Sequence, residues 1–190
     1  RIVGEGLIMP WKILFRDKKK FSSRLYLLLF ISLMFIGSFF SIFKLLESPS
    51  VWYDEGIYYQ MSENLVKNGV VGLTVTPNTV EHFSKITVGY PLIYPIASAL
   101  AVFGNNILFA RIMMAIFILS LLVASYLLIK KTIGRKEAIF SLLLLISFAP
   151  LYANGKSVLG EVPGLLYLLL SLLFIYLARN KINQKISTYY

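Results

Sequence analysis

Four stretches of this 190-residue chain, 25–43, 112–129, 138–155 and 162–178, contain no charged side chain. Each approaches the ~20 residues that a helix needs to cross a bilayer core of about 30 Å. Inside hydrocarbon every backbone polar group must find its partner within the protein, which leaves helices and closed barrels. Runs this long, without strict alternation, predict helices. The chain is 57% hydrophobic and 15% charged, with a mean hydropathy of +0.73, which excludes an ordinary soluble domain. The expected class is an all-α polytopic membrane protein with four transmembrane helices.

The net charge of +10 would suit nucleic acid, but its distribution argues for membrane topology instead. Arg1, Lys12, Arg16, Lys18, Lys19, Lys20 and Arg24 precede the first run. Lys130, Lys131, Arg135 and Lys136 separate the second and third, and Arg179, Lys181 and Lys185 follow the last. Short basic flanks face the cytoplasm. With both ends inside, Glu47, Asp54, Glu55, Glu63, Glu81 and Glu161 lie outside, six of the nine acids. The chain has no cysteine, which excludes disulfides and thiolate metal sites. The first run is longer than a signal core and no A-x-A-like site follows it, so it is expected to remain as an anchor. The chain is expected to be a fragment of a longer protein.

The predicted order is a basic cytoplasmic leader (1–24), a transmembrane helix (25–46), an external loop (47–106), a helix (107–130), a cytoplasmic loop (131–136), a helix (137–153), an external loop (154–161), a helix (162–178) and a cytoplasmic tail (179–190). The first external loop holds two short surface helices, 55–68 and 91–103. Residues 70–80 are β-rich but broken by Pro77-Asn78, and are read as loop. The 91–103 segment reaches roughly 20 Å at 1.5 Å per residue, too short to cross.

The polar stretch 51–69 carries the adjacent acids Asp54 and Glu55. Asp54 suits a helix N-cap and Glu55 the first turn, against the helix dipole. Catalysis competes with capping, because Glu161 begins a helix from the second external loop. Carboxylates converging at the mouth of a bundle make a general-base site, or oxygen ligands for a divalent cation held by Asp54 and Glu161. Arg111, at the start of an apolar helix, needs a partner there, and with Lys85 is a candidate for a lipid phosphate. Snorkelling is the alternative for Arg111. Lys156 is a weaker third cation. His82, the sole histidine, is a base or simply solvated. Tyr58, Tyr90 and Tyr94 are candidates to line a sugar or lipid, or to join an aromatic belt.

Four ordered blocks carry a resemblance. They are W-x-D-E-G-x-Y-Y with N-L-V-K-N-G (52–69), G-Y-P-L-I-Y-P with a downstream F-G (89–104), A-R-I (110–112) with the later G-R-K, and A-P-L-Y with G-E-V-P (149–163). Together they make the chain resemble the amino-terminal part of the GT-C glycosyltransferases, which include protein O-mannosyltransferases and aminoarabinose lipid A transferases. The resemblance implies an acidic active-site motif in the first external loop, matched by Asp54 and Glu55. It also implies a further acid between the third and fourth helices, matched by Glu161. Many members have Asp there, and a Lys-Pro-Pro-type block where this chain has Val88-Gly89-Tyr90-Pro91. The implied donor is a polyprenyl- or dolichyl-phosphate sugar, and further helices would follow.

The expected function is therefore an integral membrane glycosyltransferase, acting on a protein, lipid or glycan acceptor at the non-cytoplasmic face. The membrane would be a prokaryotic plasma membrane or the endoplasmic reticulum. The competing reading is a non-enzymatic transport or assembly component, whose outer acids bind a cation or partner.

Overall fold

The computed structural model describes the backbone of residues 11–77, 79–82 and 89–188, with side chains over 23–77, 79–82 and 89–179. In chain order the elements are α1 (Trp11–Ile42), α2 (Tyr53–Asn68), β1 (Gly72–Thr76), β2 (Thr79–His82), α3 (Tyr90–Phe103), α4 (Ile107–Thr132), α5 (Arg135–Ser147), α6 (Ala149–Ala153) and α7 (Glu161–Thr188). Among the described residues three helices are long and apolar enough to cross a membrane: Ser23–Ile42 of α1, Ile107–Thr132, and Glu161–Arg179 of α7.

The fourth crossing, expected over 137–153, does not form as one helix. α5 stops at Ser147, Phe148 turns to an extended ψ of 92°, and α6 restarts at Ala149. Pro150 is the physical reason: it has no N–H to give, and its ring crowds the preceding turn. The 13 residues of α5 reach about 20 Å, short of a ~30 Å core.

The centre of the bundle is α4. Asn106 starts it, its side chain accepting from the Leu108 N–H at 2.8 Å. Half of the apolar window of α4 is buried, against 11% for α1 and 22% for α7. Met114, Ile118, Leu121 and Leu122 of α4 meet Leu92 and Ile96 of α3, Leu142 and Ile146 of α5, and Val162 and Leu166 of α7. A Cβ at Gly37 of α1 would stand 2.8 Å from Leu122 Cδ1, so glycine admits the close approach of α1 to α4. The outward faces of α1 (Leu27, Leu28, Ile31, Phe35) and α7 (Leu168, Leu172, Phe174, Ile175) are exposed and apolar. Such faces suit contact with lipid.

The bundle has two distinct ends. At one, Arg135 Nη1 donates to Ser23 Oγ at 3.1 Å and the Tyr176 hydroxyl to the Lys131 carbonyl at 2.6 Å. At the other lie α2, the strands, α3 and the loop 154–160.

Residues 70–80 fold as a hairpin rather than a loop, so the chain is mostly helical instead of all-α. Gly72 pairs with His82, Leu73 with Glu81, Thr74 with Val80 and Thr76 with Thr79, with a bulge at 74–76. Pro77 sits in the turn, where its missing N–H costs nothing, instead of interrupting a strand. A Cβ at Gly72 would overlap the Glu81 carbonyl oxygen.

Asp54 is not the N-cap of α2. Trp52, extended at φ −94° and ψ 157°, takes that place without a side-chain bond, and Asp54 and Glu55 fall in the first turn. The other end is as the glycine suggests: Gly69 adopts φ 68° and its N–H returns to Leu65. In α3, Pro95 cannot supply the N–H that the Pro91 carbonyl would accept one turn earlier. The Tyr167 hydroxyl of α7 donates to that carbonyl at 3.3 Å instead.

Candidate functional site

A guanidinium in the second turn of an apolar helix is costly unless it is answered atom by atom. Arg111 is fully buried, and so is Glu55. Arg111 Nε donates to Glu55 Oε1 at 2.8 Å and Nη2 to Oε2 at 2.7 Å, a two-pronged match of planar fork to carboxylate. Its Nη1 donates to the Leu45 carbonyl at 2.8 Å. Glu55 Oε1 also accepts the Val158 N–H at 3.2 Å. One ion pair thus touches the segment after α1, the start of α2, the body of α4 and the loop before α7.

Lys156 lies beside this pair. It is buried, and its ammonium donates to the Phe43 carbonyl at 2.9 Å. Burial, and then the charge of Arg111, hold it below the ordinary lysine pKa. Both cations therefore meet carbonyls just past the C-terminus of α1, the negative end of its dipole. A Cβ at Gly155 would overlap the Leu151 carbonyl oxygen and stand 2.9 Å from Val162 Cγ2, so this loop turns tightly only with glycine.

At the same end a cavity of about 570 Å³ opens. Its walls are largely apolar, with Trp52, Met114, Leu121, Phe148, Pro150, Leu151, Val162 and Leu165, and it includes Asn154, Ser157 and Glu161. The break between α5 and α6 forms part of the wall. Irregular backbone at membrane depth is tolerated where it lines such a space.

The outer elements are pinned to one another by polar bonds. Buried Asn64 donates to the Gly72 carbonyl at 2.9 Å and to Thr74 Oγ1 at 3.1 Å, joining α2 to β1. The Tyr59 hydroxyl donates to Asn105 Oδ1 at 2.7 Å, and Asn105 and Lys67 both donate to Glu63. Partial burial, and then Glu63, raise the Tyr59 pKa.

The residues singled out from sequence are distributed unevenly around this end. Glu161 is exposed, begins α7 and lines the cavity. Asp54 is exposed in the first turn of α2, two residues from cavity-lining Trp52, and makes no hydrogen bond or ion pair with the described residues. Glu55 and Arg111 are brought together, each occupied by the other. Tyr58 is partly buried against the core. Tyr90 and Tyr94 are exposed and stacked on α3, ring centroids 5.3 Å apart at 19°. His82 is exposed at the end of β2. None of these last four lines the cavity. Lys85 lies outside the described residues. Among the described residues no three of His, Asp and Glu gather to hold a metal ion.

Trp52 and the Phe148–Pro150 break are parts of the site that sequence reasoning did not assign. The signals were an aromatic before the acidic pair and a proline late in an apolar run. Comparison with protein-family models, with curated proteins and with solved structures returns no match for this chain.

Proposed function

We propose that the chain is the amino-terminal membrane portion of a glycosyltransferase that takes a sugar from a polyprenyl- or dolichyl-phosphate carrier at the outer membrane face. The observation that carries this reading is the cavity, apolar along most of its wall and bearing the Glu161 carboxylate at the start of α7. A mostly apolar pocket with few polar groups suits a lipid chain bearing one reactive head.

The reaction is a displacement. The acceptor oxygen forms a bond to the anomeric carbon, the bond from that carbon to the phosphate oxygen breaks, and the phosphate leaves with the electron pair. The acceptor proton passes to a carboxylate, assigned to Asp54, while Glu161 orients the sugar. Charge grows on the leaving phosphate, so a cation matters most there. Lys85 is assigned that role, since Arg111 is already matched by Glu55.

In the full-length protein, Asp54→Asn should abolish transfer from polyprenyl-phosphate sugars while membrane insertion is unchanged. Wild-type turnover in that variant rejects the assignment. Absence of turnover in the wild type itself, with a cation or partner bound through Asp54 and Glu161, would favour the non-enzymatic reading. A reporter fused at Gly134 should read cytoplasmic; an external reading means that α3 crosses the membrane.

A further inference from the structure

We infer that the buried Glu55–Arg111 pair is a positioning device that sets the start of α2 against the start of α7 and does not itself touch substrate. This rests on the reading of Asp54 and Glu161 as the working carboxylates. Both Glu55 oxygens are taken by Arg111, at 2.8 and 2.7 Å, and one also by the Val158 N–H. Arg111 is committed through Nε, Nη1 and Nη2. Neither residue is exposed, and neither lines the cavity. A base or phosphate ligand needs access that this pair lacks.

The register of the contacts supplies the positive argument. Asp54 immediately precedes Glu55, and Glu161 follows Val158 by three residues. Each exposed acid therefore lies within three residues of a group that the pair holds. Stability alone does not account for such a pair, because replacing a buried ion pair by apolar groups is often neutral. Orientation does: a planar fork with fixed donor directions can hold several segments in one register, whereas the point charge of a lysine cannot.

The test uses the full-length chain in lipid nanodiscs. The sequence has no cysteine, and a Cβ at Gly56 of α2 or Gly164 of α7 meets nothing within 4 Å. Spin labels on Gly56→Cys/Gly164→Cys therefore report the separation of the two helices. The distance distribution should be single and narrow with the pair intact. It should broaden or split in Arg111→Lys, and in the charge-balanced Glu55→Gln/Arg111→Met, which removes both charges of the pair together. Unchanged distributions in both variants overturn the proposal.

A second arm measures transfer from polyprenyl-phosphate mannose. Misplacement by about 1 Å can lower turnover about 100-fold, so Arg111→Lys should lose kcat on that scale. Its donor KM should stay within about twofold, because uniform binding is not what was removed. A raised donor KM with unchanged kcat and unchanged distance overturns the proposal in favour of a phosphate ligand. If the wild type transfers no sugar, the functional reading fails, and the distance measurement still decides whether the pair couples α2 to α7.

Discussion

The charges buried around Arg111 and the charges on the surface of the bundle are held in opposite ways. At the end that carries α2 and the cavity, Glu55, Arg111 and Lys156 are buried and each polar contact is directed. At the basic end, Arg135 reaches Ser23 on an exposed surface, and Lys130 lies 5.2 Å over the Tyr126 ring. Among the described residues the other two ion pairs, Lys44–Glu47 and Lys67–Glu63, lie at the same end as Arg111, but their lysines are exposed. Exposed pairs are worth little and tolerate rearrangement. A buried pair in low dielectric must keep its geometry, since either partner alone is a large liability. The buried charges therefore fix a shape, while the exposed ones leave it free to rearrange.

The sharpest test of that contrast removes one partner at each end. Arg111→Met should destabilise the protein by about 3–5 kcal/mol, because Glu55 is left buried and unpaired. Arg135→Ala should stay within about 0.5 kcal/mol, as surface changes do. Thermal unfolding in detergent reads both, and equal losses would erase the distinction. Next comes backbone shape at the outer end. Gly155→Ala should cost roughly 1–3 kcal/mol, as overpacking does. Gly164→Ala, in open helix, should be neutral or stabilising by up to about 1 kcal/mol. A smaller effect belongs to the tie between α3 and α7: Tyr167→Phe strands the Pro91 carbonyl and should cost about 1 kcal/mol.

The smallest effect is a pH dependence from Lys156. Its folded pKa lies below the ordinary 10.5, so the unfolded chain holds the proton more tightly. Between those two values the unfolded state binds more protons, so stability rises with pH; below the folded pKa the cost of the buried charge is fully present. Lys156→Met should flatten that alkaline rise in a denaturation series, and an unaltered slope would place the dependence elsewhere.

Local features of this molecule were legible to the extent that they were local in cause. The apolar runs of α1, α4 and α7 declare themselves by length and absence of charge. Gly69 marks the end of α2 because only a left-handed turn follows. The need of Arg111 for a partner was legible too, but the partner was not: Glu55 lies 56 residues away, and only packing brings them together. Asp54 was misread as a cap because the extended backbone of Trp52 supplies the helix start without a side chain. Pro77 was misread as an interruption because a proline in a hairpin turn and one that breaks a strand look alike in sequence. A kink or end near Pro150 was legible from the proline itself, and the structure places the break at Phe148. The cavity has no linear signature, since its walls come from α2, α4, the α5–α6 break and α7.

The shortness of α5 has a consequence for whatever surrounds the protein. Taken alone, its 13 residues reach about 10 Å less than a typical bilayer core. Lipid packed against that side must thin, or let headgroups and water sink toward the break at Phe148. The molecule would then dimple its own membrane beside the cavity wall formed by Phe148 and Pro150. A polar headgroup entering from that flank would cross less hydrocarbon than one approaching past α1 or α7.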